Sequence, residues 1–184
     1  MKRLVELMHG ELDIQSSLGK GTTVTVRLPV KVPAAPEPSV PLDGFERVTG
    51  RPLRILLVED EKVNQLVIRR MLEKEGHTVE TANDGRAALD FLTRSSCDCV
   101  LMDVRMPGLD GIAATAAIRT WPAFSGVSGL PIIALTAYAM AGDKEKFLAA
   151  GMDDYISKPV QKARLCEVLD RVVGAAMRRN GVRP

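Results

Sequence analysis

Three acidic side chains lie directly after apolar runs of the kind that form buried strands. Glu59 and Asp60 follow the first run, and Asp103 follows the third. Two carboxylates held about 4 Å apart repel by about 4 kcal/mol at an effective dielectric near 20, so such a cluster calls for a cation. Mg²⁺ takes oxygen ligands, commonly one or two carboxylates, and Mn²⁺ accepts the same donors. We therefore predict a metal site with Asp60 and Asp103 as direct ligands, Glu59 as a direct or water-mediated ligand, and the backbone carbonyl of Arg105 as a further ligand.

A hydroxyl and an amine follow two other apolar runs. Thr136 comes after the fourth run and Lys158 after the fifth. A carboxylate can attack phosphorus when nearby positive charge offsets the repulsion between the two anions. The pattern therefore predicts phosphoryl transfer to Asp103, with Lys158 as a cationic clamp and Thr136 as a hydrogen-bond donor to the phosphoryl oxygens.

The elements that must position these residues alternate regularly along the chain. Apolar runs predict strands at residues 53–58, 77–82, 97–102, 131–135 and 154–156. Apolar residues at helical spacing predict helices at residues 62–75, 85–93, 111–120, 142–150 and 162–177. Asn83, Asp84 and Asp110 are candidate N-caps, and Gly76 is a candidate C-terminal cap.

Strict alternation of five strands and five helices predicts an α/β fold with a doubly wound, parallel five-stranded sheet. We expect the flavodoxin-like order 2-1-3-4-5, counted within this domain. In such sheets ligands bind beyond the carboxyl ends of the strands, where the strand order reverses. The acidic, hydroxyl and amine side chains would then converge on one crevice.

Four motifs carry a resemblance to a known family. They are Leu57-Val58-Glu59-Asp60, Leu-Met-Asp-Val-Arg-Met-Pro-Gly-Leu-Asp-Gly at residues 101–111, Ile133-Ala134-Leu135-Thr136-Ala137 and Tyr155-Ile156-Ser157-Lys158-Pro159. In this order they resemble the receiver domains of two-component signalling, over residues 51 to about 177. The resemblance implies Mg²⁺-dependent phosphorylation of Asp103, a hydroxyl switch at Thr136 and an aromatic switch at Tyr155. It also implies a switched interaction surface around the fourth helix, fifth strand and fifth helix.

The first thirty residues carry a second, shorter resemblance. A helix end at residues 4–8 and two strands at residues 10–16 and 22–28 predict a small β-hairpin. This segment resembles the last part of the ATP-binding domain of sensor histidine kinases, without the upstream parts that bind nucleotide. We therefore expect no kinase activity from this chain, although its parent would be a hybrid histidine kinase.

The predicted domain layout follows from these zones. It consists of the kinase-domain remnant at 1–30, a proline-rich linker at 31–50, the receiver domain at 51–177 and a basic tail at 178–184. The expected function is that of a phosphoacceptor in a phosphorelay, which assists its own phosphorylation. The expected partners are a histidine kinase dimerisation and phosphotransfer domain and a histidine phosphotransfer protein.

Two other functions compete with this one. The fold could serve as a docking module that is never phosphorylated, but an intact acidic cluster with Thr136 and Lys158 argues against that. A hydrolase with an aspartyl nucleophile would want a second acid two residues after the nucleophile, where this chain has Arg105.

Composition and charge argue against nucleic-acid binding, membrane contact and a cysteine-based metal or disulfide framework. A formal net charge of +2 does not indicate a basic surface that binds nucleic acid. No apolar run reaches the roughly 18 residues of a membrane span. Cys97, Cys99 and Cys166 have no Cys-x-x-Cys spacing, which favours neither a zinc site nor a disulfide framework. We expect a cytoplasmic chain without membrane contact, whose parent protein could be anchored elsewhere in its sequence.

Overall fold

The structure is a computed structural model that describes residues 5–6, 10–17, 19, 21–29, 51–137 and 143–179, with only the backbone of Asp143. The chain divides into two compact units, Met1–Phe45 and Glu46–Pro184. The predicted linker at 31–50 and the last five residues of the predicted tail lie outside the described residues.

The smaller unit contains an antiparallel hairpin. Strand β1 spans Glu11–Ser17 and β2 spans Gly21–Arg27, with Leu12 opposite Val26 and Ile14 opposite Val24. These cross-strand pairs place the apolar side chains on one face of the hairpin, because side chains alternate along a strand. The predicted hairpin is confirmed, and each strand is displaced by one residue from its predicted bounds.

The larger unit is a parallel sheet with helices on both faces. Its elements are β3 (Arg54–Val58), α1 (Lys62–Lys74), β4 (Thr78–Ala82), α2 (Gly85–Arg94), β5 (Cys99–Asp103), α3 (Gly111–Thr120), a 3₁₀ helix (Pro122–Val127), β6 (Ile132–Thr136), α4 (Asp143–Ala149), β7 (Asp154–Ser157) and α5 (Lys162–Arg179). The strand order is β4-β3-β5-β6-β7 and every pairing is parallel. Counted within this unit the order is 2-1-3-4-5, so the predicted fold is confirmed.

Alternate residues of the central strands enter two separate cores. Leu56 of β3 and Met102 of β5 belong to the core that also contains side chains of α2 and α3. Leu57 and Leu101, their immediate neighbours, belong to the core that contains side chains of α1 and α5. Burying a side chain of this size stabilises the fold by about 2 kcal/mol. This two-sided burial explains why the strands are continuous apolar runs.

Helix caps agree with most of the sequence predictions. The Asp84 carboxylate accepts a hydrogen bond from Ala87 N–H at 2.7 Å, and the Asp110 carboxylate accepts one from Ala113 N–H at 2.7 Å. Gly76 follows α1 with a φ of 82°, as expected for a helix C-terminus. Asn83 was wrongly predicted as a cap, because Asp84 occupies the N-cap position.

Several element bounds differ from the predictions. Strand β5 continues to Asp103, whose backbone still lies in register with Leu135 of β6. Helix α5 continues to Arg179, two residues further than predicted, with two arginines in its last turn. The segment after α3 was predicted as a loop but contains the 3₁₀ helix, where the rings of Trp121 and Phe124 stack with centroids 6.4 Å apart.

Cys97, Cys99 and Cys166 form no disulfide bond in the described structure. Burial raises the pKa of Cys97 to about 11, with a smaller contribution from the neighbouring charge of Asp98. Burial also raises the pKa of Cys99 well above its usual range. Since the thiolate is the reactive form, both residues serve as apolar packing groups. Among the described residues, no helix is both long and apolar enough to cross a membrane.

Replacing Gly111 with alanine should destabilise the larger unit. A Cβ at this position would lie 2.1 Å from the Asp103 carbonyl oxygen and 2.9 Å from Met102 Cγ, so α3 could no longer start against the end of β5. We expect the free energy of unfolding to fall by about 2–3 kcal/mol, as for other overpacked sites. Urea denaturation of Gly111→Ala measures this.

The matched control is Gly129→Ala, where an added Cβ would meet no atom within 4 Å. Its free energy of unfolding should change by less than about 0.5 kcal/mol. Equal stability of the two variants would contradict the close approach of α3 to Asp103.

Candidate functional site

A cleft of about 280 Å³ opens at the carboxyl ends of the central strands. Its lining residues are Glu59, Asp60, Glu61, Asn64, Asp103, Val104, Arg105, Thr136, Ala137 and Lys158. The structure therefore brings six of the seven predicted site residues together. Tyr155, the seventh, does not line the cleft.

The ammonium of Lys158 lies between two buried carboxylates. Its Nζ donates to Asp103 Oδ2 at 2.6 Å and lies 2.7 Å from Glu59 Oε2. The Glu59 side chain is 0% exposed and that of Asp103 is 8% exposed, so little water reaches either charge. In the described part of the chain, Lys158 forms an ion pair with both carboxylates and compensates part of their charge.

This position determines the ionisation of Lys158. Burial by itself lowers the pKa of the amine, but the hydrogen bond to Asp103 and the negative charges of Asp103 and Glu59 outweigh burial, so the pKa of Lys158 is raised. The amine is therefore a cation at neutral pH. It can neutralise part of the acidic cluster and can attract an anionic group in the cleft.

Backbone contacts hold the Lys158 amine and the Asp103 carboxylate in place. The second oxygen of Asp103, Oδ1, accepts a hydrogen bond from Arg105 N–H at 3.0 Å. The Lys158 N–H donates to the Thr136 carbonyl at 2.7 Å, and the Lys158-Pro159 peptide bond is cis. The end of β7 is thereby fixed to the end of β6, which directs the amine toward β5.

Two amides at the start of α1 contact Glu59. Asn64 Nδ2 donates to Glu59 Oε1 at 3.1 Å, whereas Gln65 Nε2 donates to the Glu59 carbonyl at 3.2 Å. Gln65 also contacts the Ala82 carbonyl and the Asn83 side chain. Sequence reasoning predicted neither of these contacts. The signal it overlooked is the spacing of five residues between Glu59 and Asn64, which lets the first turn of a helix fold back on the strand end.

The acidic cluster fits a hard divalent cation. Glu59, Asp60 and Asp103 each offer an oxygen, and these atoms lie within 4.8 Å of one another. Glu59 Oε2 accepts no hydrogen bond of regular geometry from the described residues, although it faces the ammonium. Asp60 is exposed to the cleft and pairs with no cation in the described part of the chain. An all-oxygen donor set with this charge suits Mg²⁺ or Mn²⁺.

The two predicted switch residues occupy different surroundings. Thr136 is the last residue of β6 and is 4% exposed at the edge of the cleft. Tyr155 is half-buried on β7, opposite Ala134 in register, and its ring centroid is 6.3 Å from that of Phe147. A coupled movement of Thr136 and Tyr155 therefore stays a prediction.

The sequence and the fold of the larger unit match a known protein family. Residues 55–170 match the model of the response regulator receiver domain. The chain belongs to this family. The receiver domain of sensor histidine kinase PA1611 from Pseudomonas aeruginosa PAO1, solved with magnesium in its active site cleft, is 46% identical, with a TM-score of 0.61. The alignment covers 67% of this chain and 99% of that receiver domain.

Curated relatives are sensor kinases that contain receiver domains. Sensor protein GacS of Pseudomonas syringae pv. syringae is 44% identical over 131 residues, which is 71% of this chain and 14% of that protein. The autoinducer 2 sensor kinase/phosphatase LuxQ of Vibrio vulnificus is 36% identical over 170 residues, or 92% of this chain and 19% of that protein. This chain thus spans under a fifth of the length of these two relatives.

Removing the amine of Lys158 should destabilise the receiver domain. Lys158→Met leaves Glu59 and Asp103 without their shared cation, and we expect a loss of about 2–3 kcal/mol in the free energy of unfolding without added metal. The pKa of Lys158 is raised in the folded protein. The contribution of Lys158 to the free energy of unfolding is therefore fully present below about pH 10.4, the pKa of lysine in an unfolded chain, and it fades as the pH rises through the folded pKa.

Denaturation of both proteins between pH 7 and pH 11 tests this. The difference in stability should be constant up to about pH 10 and shrink above it. Lys162→Met is the control, since its pair with Glu75 is at the surface and should contribute less than about 1 kcal/mol. A difference that grows above pH 10 would contradict the assigned ion pairs.

Proposed function

We propose that this chain carries the phosphoacceptor receiver of a hybrid histidine kinase and that Asp103 is the residue phosphorylated. The observation that carries the proposal is the Lys158 ammonium, which contacts Asp103 at 2.6 Å inside a cleft with three further carboxylates, Glu59, Asp60 and Glu61. That arrangement combines a nucleophile with a cation for the transferred group. The intact set of charged residues disfavours a docking module that is never phosphorylated.

The proposed step is a displacement at phosphorus. A carboxylate oxygen of Asp103 forms a bond to phosphorus while the bond from phosphorus to the donor breaks, and the donor leaves with the electron pair. A phosphohistidine donor releases its imidazole, whose nitrogen then takes a proton from water. Acetyl phosphate releases acetate.

Charges along the cleft serve this displacement. Lys158 and the Thr136 hydroxyl are placed to bind phosphoryl oxygens, where charge is spread in the transition state. A bound Mg²⁺ or Mn²⁺ would offset the repulsion between the carboxylate and the anionic donor. We assign Glu59, Asp60, Asp103 and the Arg105 carbonyl to that ion. Thr136 and Tyr155 are the proposed switch residues.

The proposal extends to the parent protein. The match to LuxQ covers 92% of this chain, which is more than the receiver domain alone. This supports our assignment of residues 1–30 to the end of a kinase ATP-binding domain, followed by a linker at 31–50. The partners we propose are the phosphohistidine domain of the kinase and a histidine phosphotransfer protein in the cytoplasm.

Phosphorylation of Asp103 can be tested by intact-protein mass spectrometry. Incubating the full chain with acetyl phosphate and Mg²⁺ should add one phosphoryl group. Asp103→Asn removes the anionic nucleophile and should abolish the addition, as should a chelator. The control Asp90→Asn alters an exposed acid on α2 and should label like the unmodified chain. Unchanged labelling of Asp103→Asn would overturn the assignment.

Helix α1 offers a surface for the phosphodonor partner. Val63, Leu66 and Val67 are 64%, 56% and 45% exposed, an unusual density of apolar surface on one helix. A shallow cleft of about 100 Å³, lined in part by Val67 and Pro159, adjoins the catalytic cleft and shares two lining residues with it. A donor histidine must reach Asp103 through this opening, so an apolar helix beside that histidine would pack on α1.

Replacing Leu66 with alanine should slow phosphorylation by a protein donor but not phosphorylation by a small-molecule donor. We expect Leu66→Ala to slow phosphotransfer from the phosphorylated kinase domain by about tenfold, because the packing it removes is of the order of 1.4 kcal/mol. Acetyl phosphate needs no such contact and should label the variant normally. The control is Leu148→Ala, an exposed leucine on α4. If Leu148→Ala alone slows the transfer, the donor docks on α4 instead.

A further inference from the structure

The amide of Asn64 has a role that the proposed phosphorylation does not by itself require. Its Nδ2 lies 3.1 Å from Glu59 Oε1, on the first turn of α1. We propose that Asn64 is a positioning residue that holds the Glu59 carboxylate in its metal-binding orientation. This inference rests on the proposed function, because it concerns the same metal site.

Glu59 needs such a partner because of its burial. Its side chain is 0% exposed, so its charge is stabilised by protein groups and not by water. One partner, Lys158, is shared with Asp103. In the proposed reaction that ammonium also turns toward the phosphoryl oxygens. Asn64 has no such second task, so it is the partner that can hold Oε1 throughout.

A comparison with the neighbouring amide, Gln65, distinguishes a role in holding Glu59 from a role in stabilising helix α1. Gln65 donates to the backbone carbonyls of Glu59 and Ala82 and to the Asn83 side chain, but not to a carboxylate. Gln65 therefore ties α1 to the ends of β3 and β4. Asn64, one residue earlier, contacts the carboxylate itself. Both side chains end in the same amide group, but Asn64 contacts the Glu59 carboxylate whereas Gln65 contacts backbone carbonyls and the Asn83 side chain.

Isothermal titration of the full chain with Mg²⁺ tests the proposal. Groups that orient metal ligands typically change metal affinity by about tenfold or more when removed, so Asn64→Leu should weaken Mg²⁺ binding by about tenfold and Gln65→Met by less than about twofold. Thermal unfolding of both variants shows whether α1 is equally affected. Equal Mg²⁺ affinities in the two variants would overturn the proposal, because Asn64 would then act only on the helix.

Phosphorylation provides an independent readout. With acetyl phosphate, Asn64→Leu should need about tenfold more Mg²⁺ for half-maximal labelling, yet reach the same rate at saturating Mg²⁺. A lower rate at saturation would assign Asn64 to the chemical step and overturn a positioning role. If the unmodified chain bound no Mg²⁺, the proposed metal site itself would fail. If it bound Mg²⁺ as tightly as Asn64→Leu, only this inference would fail.

Discussion

The structure of the site depends on the compensation of negative charge around one ammonium. Glu59 and Asp103 are both buried, and the negative charges of two such carboxylates repel each other unless a cation lies close to both. Lys158 contacts both of them, at 2.7 and 2.6 Å. The ammonium lowers the repulsion enough for the domain to fold around the cluster. Asp60 is left as an exposed negative charge, which makes the site receptive to a divalent cation.

The parallel sheet is what makes that compensation possible. Glu59 follows β3, Asp103 ends β5 and Lys158 follows β7, so the three charges come from distant parts of the chain and meet only because the strands end at one edge. The two-sided core holds these strands in register, since shifting one of them by a residue would move each apolar side chain into the core on the opposite face and disrupt the packing of both cores. The core therefore supplies most of the stability of the domain, whereas the charged cluster at the carboxyl ends of the strands is suited to the proposed phosphoryl transfer.

Close packing of helices against the strand ends completes the site. Helix α3 starts so near to β5 that no side chain larger than that of Gly111 fits beside the Asp103 carbonyl. Helix α1 starts so near to β3 that Asn64 reaches the Glu59 carboxylate. Asp103, the proposed nucleophile, and Glu59, the buried candidate metal ligand, are thus each approached closely by the helix that follows in the chain. The exposed apolar side chains of α1 lie beside the same opening, which suits a partner that must approach Asp103.

Much of this could be predicted from the residue sequence, because the relevant signals are local. Continuous apolar runs, helical periodicity and acidic caps such as Asp84 and Asp110 determine the elements, and polar residues after each run identify Glu59, Asp60, Asp103, Thr136 and Lys158. Only the tertiary structure decided which atoms pair. The double contact of Lys158, the separate tasks of Asn64 and Gln65, and the failure of Asn83 as a cap depend on distances of a few ångströms between side chains, which sequence spacing does not encode.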